Sequence, residues 1–462
     1  MSPDPVSNSS PWDSRGWSSL ERSFPWEVPL PQFRRVRQDF PRPRIVDLAA
    51  TVAQAMDSIQ GAARLGGGKR VAITAGSRGI ARISEILAAV VSRVRDYGGL
   101  PFLVPAMGSH GRATAEGQVA LLAELGITEE SVGAPIEATM EVVKLGQLPE
   151  GLPVYMDRVA AAADAIVAVN RTKPHTDYIG EIESGVAKII AIGLGKQKGA
   201  DAIHSYGVHA LRDWMPRAAR LAIQEAPVAM GLAIVENAYH EVADIVPLLP
   251  EEIGGPKEAE CLARGRSLMA RLPFDEIDVV IVEEMGKNLI GTGIDPHVLG
   301  RIRVSGISDP PRPIVHMVAV LGLTPETHGN AIGIGLADVT TRRLVEQTDF
   351  EAMYTNALTA GMAGTKRAFL PIVAPTDYAA IQAALHCCGR PDPENARIVR
   401  IKNTLMLGEI DVSESLLAEV AGQGSLSLVG APFSLRFDGE KRLAPFEKMS
   451  SPWSKQSDTV ST

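Results

Sequence analysis

From about residue 70 onward, the spacing of hydrophobic positions switches repeatedly between the period of a strand and the period of a helix. The segment KRVAIT (69–74) is a short run with β-branched residues, and AGSRG (75–79) after it is a turn. Apolar residues in the segment 80–99 then recur at helical spacing. A second strand with a glycine turn (101–111) and a second helix (114–127) follow in the same order. Two strand–turn–helix units in succession predict a parallel α/β domain.

The same pattern continues and then restarts near residue 270, which predicts a second domain. ADAIVAVN (163–170) and VAMGLAIVEN (228–237) are further buried-strand candidates of the first domain. Beyond residue 270, the strand candidate VVIVEE (279–284) leads into the loop MGKNLIGTGIDP (285–296). The remaining candidates are helices over 340–361 and 377–388 and strands over 314–323, 398–403 and 425–430.

A chain of 462 residues is too long for one ordinary core, so its length alone favours two domains. We predict an α/β fold with an N-terminal Rossmann-like parallel sheet and a second α/β domain, with the active site in the cleft. The Ser/Pro-rich start and the polar end predict unstructured termini. The predicted segments are a flexible N-terminal extension (1–40), the first α/β domain (41–270), the second α/β domain (271–440) and a disordered tail (441–462).

Composition and charge narrow the class of protein. Hydrophobic residues make up 45% and charged residues 22%, as in ordinary soluble globular proteins. The net charge of −8 leaves no obvious basic face for nucleic acid or an anionic membrane. No apolar run approaches the roughly 18–20 residues of a spanning helix, and the N-terminus lacks the pattern of a signal peptide. The sequence therefore predicts neither a nucleic-acid nor a membrane partner.

The cysteines indicate a reducing compartment. Cys387 and Cys388 are neighbours, Cys261 stands apart, and the sequence has no CxxC spacing suited to zinc or iron–sulfur binding. Reduced thiols of this kind are typical of cytosolic proteins. We therefore predict a cytoplasmic location.

Three polar turns follow strands of the predicted parallel sheet, where ligands bind in open α/β folds. They are AGSRG (75–79), GSHG (108–111) and NRTKPH (170–175), and each has a cation or a histidine. The first opens a helix, whose free N–H groups favour an anion, and Arg78 adds a bidentate grip on a carboxylate or phosphate. Neither GxGxxG nor a P-loop occurs, so ordinary NAD or ATP binding is weakly indicated. For each turn alone, a polar loop without a ligand is the alternative.

Histidines and a lysine supply the candidate chemistry of the first domain. His110 and His175 lie in two of these turns, either as an acid–base pair around a substrate or as surface histidines without a role. His204 is a candidate metal ligand. Lys188 stands in the apolar run VAKIIAIGLG. It is either a lysine whose head reaches water or one of lowered pKa that forms a covalent bond.

The second domain contributes a glycine-rich loop, EEMGKNLIGTGIDPH (283–297), directly after a strand. Glu284 and Lys287 in this loop are candidates to reach across the domain cleft toward an anionic substrate. The alternative is a solvated loop in which the glycines only permit a tight path. The residues alone leave both possibilities open.

Taken together, these residues resemble the lactate racemase superfamily, which uses a nickel-pincer nucleotide. The resemblance rests on order and spacing over roughly residues 40–435. Its pieces are an arginine in the first turn, GSHG in the second, PHT before a helix, SGVAK, and a histidine 16 positions after that lysine. No single short motif carries it.

The resemblance implies a cofactor and a role for each candidate residue. In the family, a lysine bonds to pyridinium-3-thioamide-5-thiocarboxylic acid mononucleotide, which holds nickel through two sulfurs and a ring carbon, and a histidine completes the coordination. By position, the implied roles are cofactor attachment for Lys188, nickel ligation for His204, acid–base catalysis for His110 and His175, and substrate binding for Arg78 and Lys287. The cofactor phosphate is expected on the backbone of AGSRG, at Gly76 and Ser77, or of GLGKQKG (193–199). Segment 41–270 then becomes the cofactor-binding domain, and cofactor-maturation proteins become expected partners.

The implied reaction is the racemisation or epimerisation of a hydroxyl-bearing carbon of a 2-hydroxy acid, sugar or sugar acid by reversible hydride transfer. Two histidines are needed because one cannot reach both faces of that carbon. The sequence departs from lactate racemases proper, which carry an aspartate at the position of Ala75 and a glutamine at that of Glu284. Its segment HTDYIGEIESGVAK (175–188) is also longer. We therefore expect a polyhydroxylated acid or sugar as substrate, with Glu284 accepting hydrogen bonds from the additional hydroxyls.

Two alternatives remain open at the level of sequence. One is a lyase or hydrolase that binds a divalent metal with His110, His175 and His204. The other is a non-enzymatic anion- or nucleotide-binding protein that keeps the fold without the cofactor. The presence of a nucleotide adduct on Lys188 separates the racemase from both.

Overall fold

The computed structural model describes residues 21–77 and 79–446 and divides into two compact units. The central unit is the continuous segment Phe40–Ala270. The terminal unit combines the described residues up to Asp39 with those from Arg271 onward. Outside the described residues lie Arg78 and the segments 1–20 and 447–462, on which parts of the predicted extension and tail fall.

Strands from the described residues build both units. In chain order they are β1 (Phe33–Gln38), β2 (Arg70–Ala75), β3 (Leu100–Pro105), β4 (Val142–Gln147), β5 (Pro153–Asp157), β6 (Ala165–Arg171), β7 (Val228–Glu236), β8 (Val242–Leu248), β9 (Glu276–Val282), β10 (Ile314–Val320), β11 (Val339–Thr341), β12 (Ile372–Ala374), β13 (Ile398–Ile401), β14 (Glu409–Ser413) and β15 (Leu426–Phe433).

Helices separate most of these strands. In the central unit they are Leu48–Ser58, Gly61–Leu65, Ile83–Asp96, Ala115–Glu124, Glu129–Val132, Arg158–Ala161, Val186–Lys188, Lys196–His204, Gly207–His209, Met215–Glu225 and Pro256–Leu268. In the terminal unit they are Pro296–Leu299, Arg342–Glu346, Phe350–Thr359, Met362–Thr365, Asp377–His386 and Leu417–Ala421. Among the described residues, no helix has both the length and the apolar character needed to cross a membrane.

The main sheet of the central unit has the strand order β3-β2-β6-β7-β8. β2 pairs in parallel with β3 and β6, β6 pairs in parallel with β7, and the edge strand β8 runs antiparallel to β7. β2 and β6 are buried along almost their whole length, as expected of parallel strands covered on both faces. The predicted Rossmann-like parallel sheet is confirmed.

The helix Ile83–Asp96 follows from the hydrophobic pattern of the segment 80–99. Its apolar positions recur every three or four residues and form one buried face, and burying such a side chain contributes about 1.5–3 kcal/mol. The helix begins at Ile83 because the residue before it, Arg82, has a left-handed backbone conformation with φ +54. The buried residues of this face are Ile83, Ile86, Leu87, Val90, Val91 and Val94.

The terminal unit is built on an eight-stranded sheet of order β12-β11-β10-β9-β13-β14-β1-β15. Neighbours from β12 to β13 are parallel, and the pairs that involve β14, β1 and β15 are antiparallel. The helix Asp377–His386 packs into a core with Val279 and Ile281 of β9. This unit is therefore also α/β, as the sequence predicts.

The N-terminal segment contains a strand that the sequence analysis assigned to a flexible extension. β1 lies between β14 and β15, and Phe33 and Val36 in it are completely buried. Arg35 of β1 forms an ion pair of 2.5 Å with the buried Asp411, 376 residues further along the chain. The prediction of flexibility through residue 40 is wrong for this strand, because its pairing partners are distant in sequence.

The structure also differs from the predicted helix over 340–361 and from the predicted disordered tail. The predicted helix over 340–361 is divided into Arg342–Glu346 and Phe350–Thr359. Asp349 lies in extended conformation between them and accepts the N–H of Ala352 at 2.9 Å, which makes it an N-cap. In the predicted tail, Leu443 is buried with only 8% of its surface exposed, so the described residues 441–446 are not wholly a free tail.

Candidate active site

The carboxyl ends of β2, β3 and β6 lie side by side, because these strands are parallel neighbours in the central sheet. β2 ends at Ala75, β3 at Pro105 and β6 at Arg171. Each strand is followed by one of the three polar turns. The sheet therefore brings AGSRG, GSHG and NRTKPH to the same edge, where open α/β folds bind ligands.

His110 is held on two sides. Oγ of Ser77 hydrogen-bonds to Nδ1 of His110, which joins the first turn to the second. A hydroxyl both donates and accepts, so this bond persists whichever partner carries the proton. Nε2 of Gln118 donates to the carbonyl oxygens of Gly108 at 2.9 Å and of His110 at 3.3 Å. His110 is thus oriented through its ring and through its own backbone.

Gly76 lies where the first turn approaches the segment that carries Lys188. A Cβ atom placed on Gly76 would lie 3.7 Å from Cδ1 of Ile189 and 3.8 Å from Oδ1 of Asn170, which is ordinary van der Waals contact. Asn170, in β6, donates from Nδ2 to the carbonyl oxygen of Gly185 at 2.6 Å. The turn after β2, the end of β6 and the start of the Lys188 helix therefore meet.

Lys188 ends the short helix Val186–Lys188, which runs directly into the π-helical turn Ile189–Gly193. The flanking residues Ala187 and Ile189 are buried, whereas Lys188 is only partly buried. Single π-helical turns are rare and frequently occur at functional sites. The position suits both a lysine whose head reaches water and a lysine that carries a covalent group, so the two alternatives for Lys188 remain.

Glu258, on the helix Pro256–Leu268, fixes the backbone just before Lys188. Its side chain is fully buried and accepts the N–H of Ala187 at 3.0 Å and that of Gly254 at 2.8 Å. Burial raises the pKa of the Glu258 carboxyl, and the backbone donors oppose that rise. The sequence analysis did not identify Glu258, because a glutamate in an amphipathic helix carries no sign of its distant partner.

His175 lies in the turn after β6 and is held by its own loop. Its backbone N–H donates to Oε2 of Glu183 at 2.7 Å, and its ring stacks on Tyr178 with centroids 4.5 Å apart. Nδ1 accepts the N–H of Asp177 at 3.1 Å, so the neutral ring carries its proton on Nε2. Burial raises the pKa of the Tyr178 hydroxyl, which keeps that stacking partner neutral. The loop therefore holds His175 in one orientation and one tautomer.

His204 is the exposed last residue of the helix Lys196–His204. Its Nδ1 lies 2.6 Å from the carbonyl oxygen of Ala200, which only accepts, so Nδ1 carries a proton. The neutral ring then keeps its lone pair on Nε2, which is the arrangement of metal-ligating histidines. Within residues 21–77 and 79–446, no three His, Cys, Asp or Glu side chains are grouped to hold a metal ion.

In the terminal unit, Lys287 and Glu284 both have partners within that unit. Nζ of Lys287 donates to Oδ1 of Asn356. Oε1 of Glu284 accepts from Nδ2 of Asn403 at 2.9 Å and lies 3.5 Å from Nζ of Lys402. The loop is therefore held by specific polar contacts. The substrate-binding roles of both residues stay predictions, as does that of Arg78, which lies outside the described residues.

A buried polar group around Lys196 was missed by the sequence analysis. The side chains of Lys196 and Asp157 are completely buried, with Nζ 3.0 Å from Oδ2. Nζ also donates to Oε1 of Gln118 at 2.9 Å and to the carbonyl oxygen of Pro105. Burial lowers the pKa of Lys196 and raises that of Asp157, while their opposite charges act against both changes. The sequence feature that could have indicated this group is the lysine in the glycine-rich segment GLGKQKG (193–199). The sequence analysis considered that segment only as a backbone site for the cofactor phosphate.

The central unit contains a segment that is similar to a known protein family. Residues 41–213 match the family model of the lactate racemase N-terminal domain. The lactate racemase apoprotein from Thermoanaerobacterium thermosaccharolyticum is similar at 14% identity with a TM-score of 0.49, over 81% of this chain and 99% of that chain. A Thermotoga maritima protein is similar at 14% identity with a TM-score of 0.47, over 71% of this chain and 83% of that chain. Structural likenesses at this level carry no functional argument, and no curated protein sequence matches significantly.

Fold and site together define an α/β protein whose parallel sheet carries histidines and a lysine-bearing segment at its carboxyl edge. Its residues 41–213 are similar to the lactate racemase N-terminal domain. The matched segment contains seven of the residues singled out in the sequence, namely Gly76, Ser77, Arg78, His110, His175, Lys188 and His204.

Proposed function

We propose that the protein is an isomerase, a racemase or epimerase that inverts a hydroxyl-bearing carbon of a 2-hydroxy acid, sugar or sugar acid. The observation that carries the proposal is the meeting of two features at one sheet edge. The Ser77–His110 pair supplies an oriented acid–base group. The turn that contains Ser77 also lies, at Gly76, against the segment that carries Lys188. The match of residues 41–213 to the lactate racemase N-terminal domain supports the same class of reaction.

His110 and His175 are the proposed acid–base pair. Removal of hydrogen from the carbon must be accompanied by loss of the hydroxyl proton, so each face of the carbon needs its own proton acceptor. Ser77 occupies Nδ1 of His110, and the Asp177 N–H occupies Nδ1 of His175. His110 would accept a proton at Nε2 while its Nδ1 donates to Ser77. His175, whose neutral ring already carries its proton on Nε2, would take up a second proton at Nδ1, in place of its bond to the Asp177 N–H. For His110, the bond to Ser77 thereby fixes the reacting nitrogen.

The proposed cofactor is the nickel-pincer nucleotide, with Lys188 as the attachment point and His204 as the nickel ligand. When bound, this group supplies a reversible acceptor for hydride. The residues fit it in two respects. His204 offers a single histidine nitrogen where the described residues lack a three-ligand cluster, and this nucleotide brings its own donors. Acylation of Lys188 removes its positive charge, which suits a side chain between buried neighbours.

The remaining parts of the site follow from the same proposal. The backbone of the turn with Gly76 and Ser77 would bind the cofactor phosphate, since N–H groups before a helix favour an anion. Arg78 and Lys287 would supply cations for an anionic substrate. A polyhydroxylated acid or sugar is favoured over lactate because Ala75 removes a carboxylate and Glu284 adds one relative to lactate racemases proper.

The attachment of the cofactor is tested by intact-protein mass after co-expression with proteins that synthesise the pincer nucleotide. We expect a covalent nucleotide adduct on the wild-type chain and its complete loss in Lys188→Ala. Lys198→Ala is the matched control, because Lys198 is an exposed lysine ten positions further on, with its Nζ over the ring of Tyr155. We expect this variant to keep the adduct.

Three results would contradict the proposal. An unmodified wild-type chain with a stoichiometric divalent metal would favour the lyase or hydrolase. An unmodified chain without metal would favour a binding protein. An adduct that survives Lys188→Ala would place the attachment on another residue.

A further inference from the structure

We propose that Lys196, Gln118 and Asp157 form a positioning network that ties the His110 loop to the helix ending at His204. The network is buried and lies at the junction of two elements that each carry a proposed site histidine. The inference rests on the proposed function, in which His110 and His204 act around one bound group. The coupling between the His110 loop and the helix Lys196–His204 is testable in protein without the cofactor.

Lys196 begins the helix whose last residue is His204, and its side chain points into the protein interior. It has a left-handed backbone conformation with φ +53, and none of its surface is exposed. Its ammonium group donates to the carbonyl oxygen of Pro105, the last residue of β3, and to Gln118. One end of the His204 helix is therefore anchored to the strand and the helix that flank the His110 loop.

Gln118 completes the connection, because its amide group bonds on both sides. Its Oε1 accepts from Lys196, while its Nε2 donates to the carbonyl oxygens of Gly108 and His110. An ammonium group only donates and a carbonyl only accepts, so the orientation of the amide is determined by its partners. The side chain is completely buried, so water does not compete for these bonds.

Asp157 supplies the charge that balances Lys196. Its Oδ2 lies 3.0 Å from Nζ of Lys196, and its Oδ1 accepts the N–H groups of Val159 and Ala160 at 2.8 and 2.9 Å. The backbone N–H of Asp157 donates to the carbonyl oxygen of Leu194 at 2.6 Å. β5 is therefore bonded to the chain just before the His204 helix as well as to Lys196.

A buried ion pair is a weak source of stability, since desolvation offsets most of the attraction. An apolar trio would fill the same space, but it would not fix the two carbonyl oxygens of the His110 loop. Lys196 and Gln118 have no exposed surface, so they position the histidines and do not contact substrate. The structure thus assigns them to the orientation of the site.

The test compares hydrogen exchange of the backbone amides in cofactor-free protein. Gln118→Met keeps the volume of the side chain and removes its hydrogen bonds. We expect exchange in 106–114 to rise by about tenfold, the effect of losing roughly one net hydrogen bond, with the sheet amides of β7 unchanged. In loaded enzyme, kcat should fall by a similar factor with KM unchanged, because substrate binding groups are untouched.

The charge pair requires a double variant, because removal of one partner leaves an uncompensated buried charge. Asp157→Asn combined with Lys196→Met keeps the Oδ1 cap and removes both charges. We expect faster exchange in 106–114 and in 196–204 together. The control is Gln224→Met, an exposed glutamine on the helix Met215–Glu225 that should leave both segments unchanged.

Unchanged exchange in 106–114 for both the Gln118 variant and the double variant would overturn the network. Faster exchange combined with unchanged kcat would overturn its role in positioning the site. A missing adduct on wild-type Lys188 would instead defeat the proposed function, and it leaves the exchange result of the cofactor-free protein intact. The two failures are thereby distinguishable.

Discussion

Ser77 and His110 are 33 residues apart and form the most direct side-chain contact between two of the predicted turns. Their contact follows from strand register, since Ala75 at the end of β2 pairs with Pro105 at the end of β3. The residues after both strands therefore start from the same level of the sheet. At the scale of single residues, the orientation of His110 depends on the register of two parallel strands and on the short turns that follow them.

Ser77→Ala tests that orientation. The variant removes the hydroxyl that bonds to Nδ1 of His110 while keeping the backbone of the turn. We expect kcat for the racemisation to fall about tenfold, since roughly one net hydrogen bond is lost. The pH–rate profile should also shift, because the protonation of the ring is coupled to its partner.

The control is Ser58→Ala, in which the lost hydroxyl donates to the carbonyl oxygen of Ala55 within the same helix, Leu48–Ser58. It should leave kcat unchanged. An undiminished rate and an unshifted profile in Ser77→Ala would show that this bond does not orient the catalytic ring.

At the scale of elements, the short helix before Lys188 depends on a helix that comes much later in the chain. Val186–Lys188 is too short to be stable by its own hydrogen bonds. The carboxylate of Glu258, from the helix Pro256–Leu268, accepts the N–H of Ala187 at its start. The placement of Lys188 is therefore set from outside its own segment.

The raised pKa of Glu258 predicts a pH-dependent stability. Below the ordinary glutamate pKa the carboxyl is protonated in both folded and unfolded chains. As pH rises through the raised folded pKa, the unfolded chain ionises more readily and the free energy of unfolding falls. Glu258→Gln does not titrate, so wild type should gain stability relative to this variant as the pH falls from about 8 toward about 5. Urea unfolding at the two pH values measures the difference.

Glu260→Gln is the matched control, since Glu260 is an exposed glutamate on the same helix. Its stability difference from wild type should vary little between the two pH values. A Glu258→Gln difference that is equal at both pH values would mean that folding does not raise the pKa of this carboxyl.

At the scale of the whole molecule, the chain begins and ends in the terminal unit, and the central unit is inserted between its two parts. β1 completes the eight-stranded sheet from the N-terminal side of that insertion. The candidate residues are likewise divided: His110, His175, Lys188 and His204 lie in the central unit, and Glu284 and Lys287 lie in the terminal unit. A functional test of all these candidate residues therefore requires both units.

The substrate class is a prediction about the full chain. With cofactor-loaded enzyme, we expect polyhydroxylated acids or sugars to be converted faster than lactate, because the Ala75 and Glu284 positions both differ from lactate racemases proper. Inversion in deuterated water should introduce little label at the inverted carbon, since returned hydride does not exchange with solvent. Mass spectrometry of the product measures both. Lactate turnover equal to that of every sugar acid, or full label at the carbon, would contradict this prediction.

The sequence by itself determined the fold class, the parallel central sheet and the three polar turns, because hydrophobic periodicity and strand-end chemistry are local properties. It also carried the family resemblance, through the order and spacing of the histidines and Lys188. Tertiary structure alone decided the partners of Lys196, Gln118 and Glu258, the insertion of β1 and the tautomers of His175 and His204. These depend on contacts between residues far apart in the chain, where burial and hydrogen-bond geometry, not local pattern, select the partner.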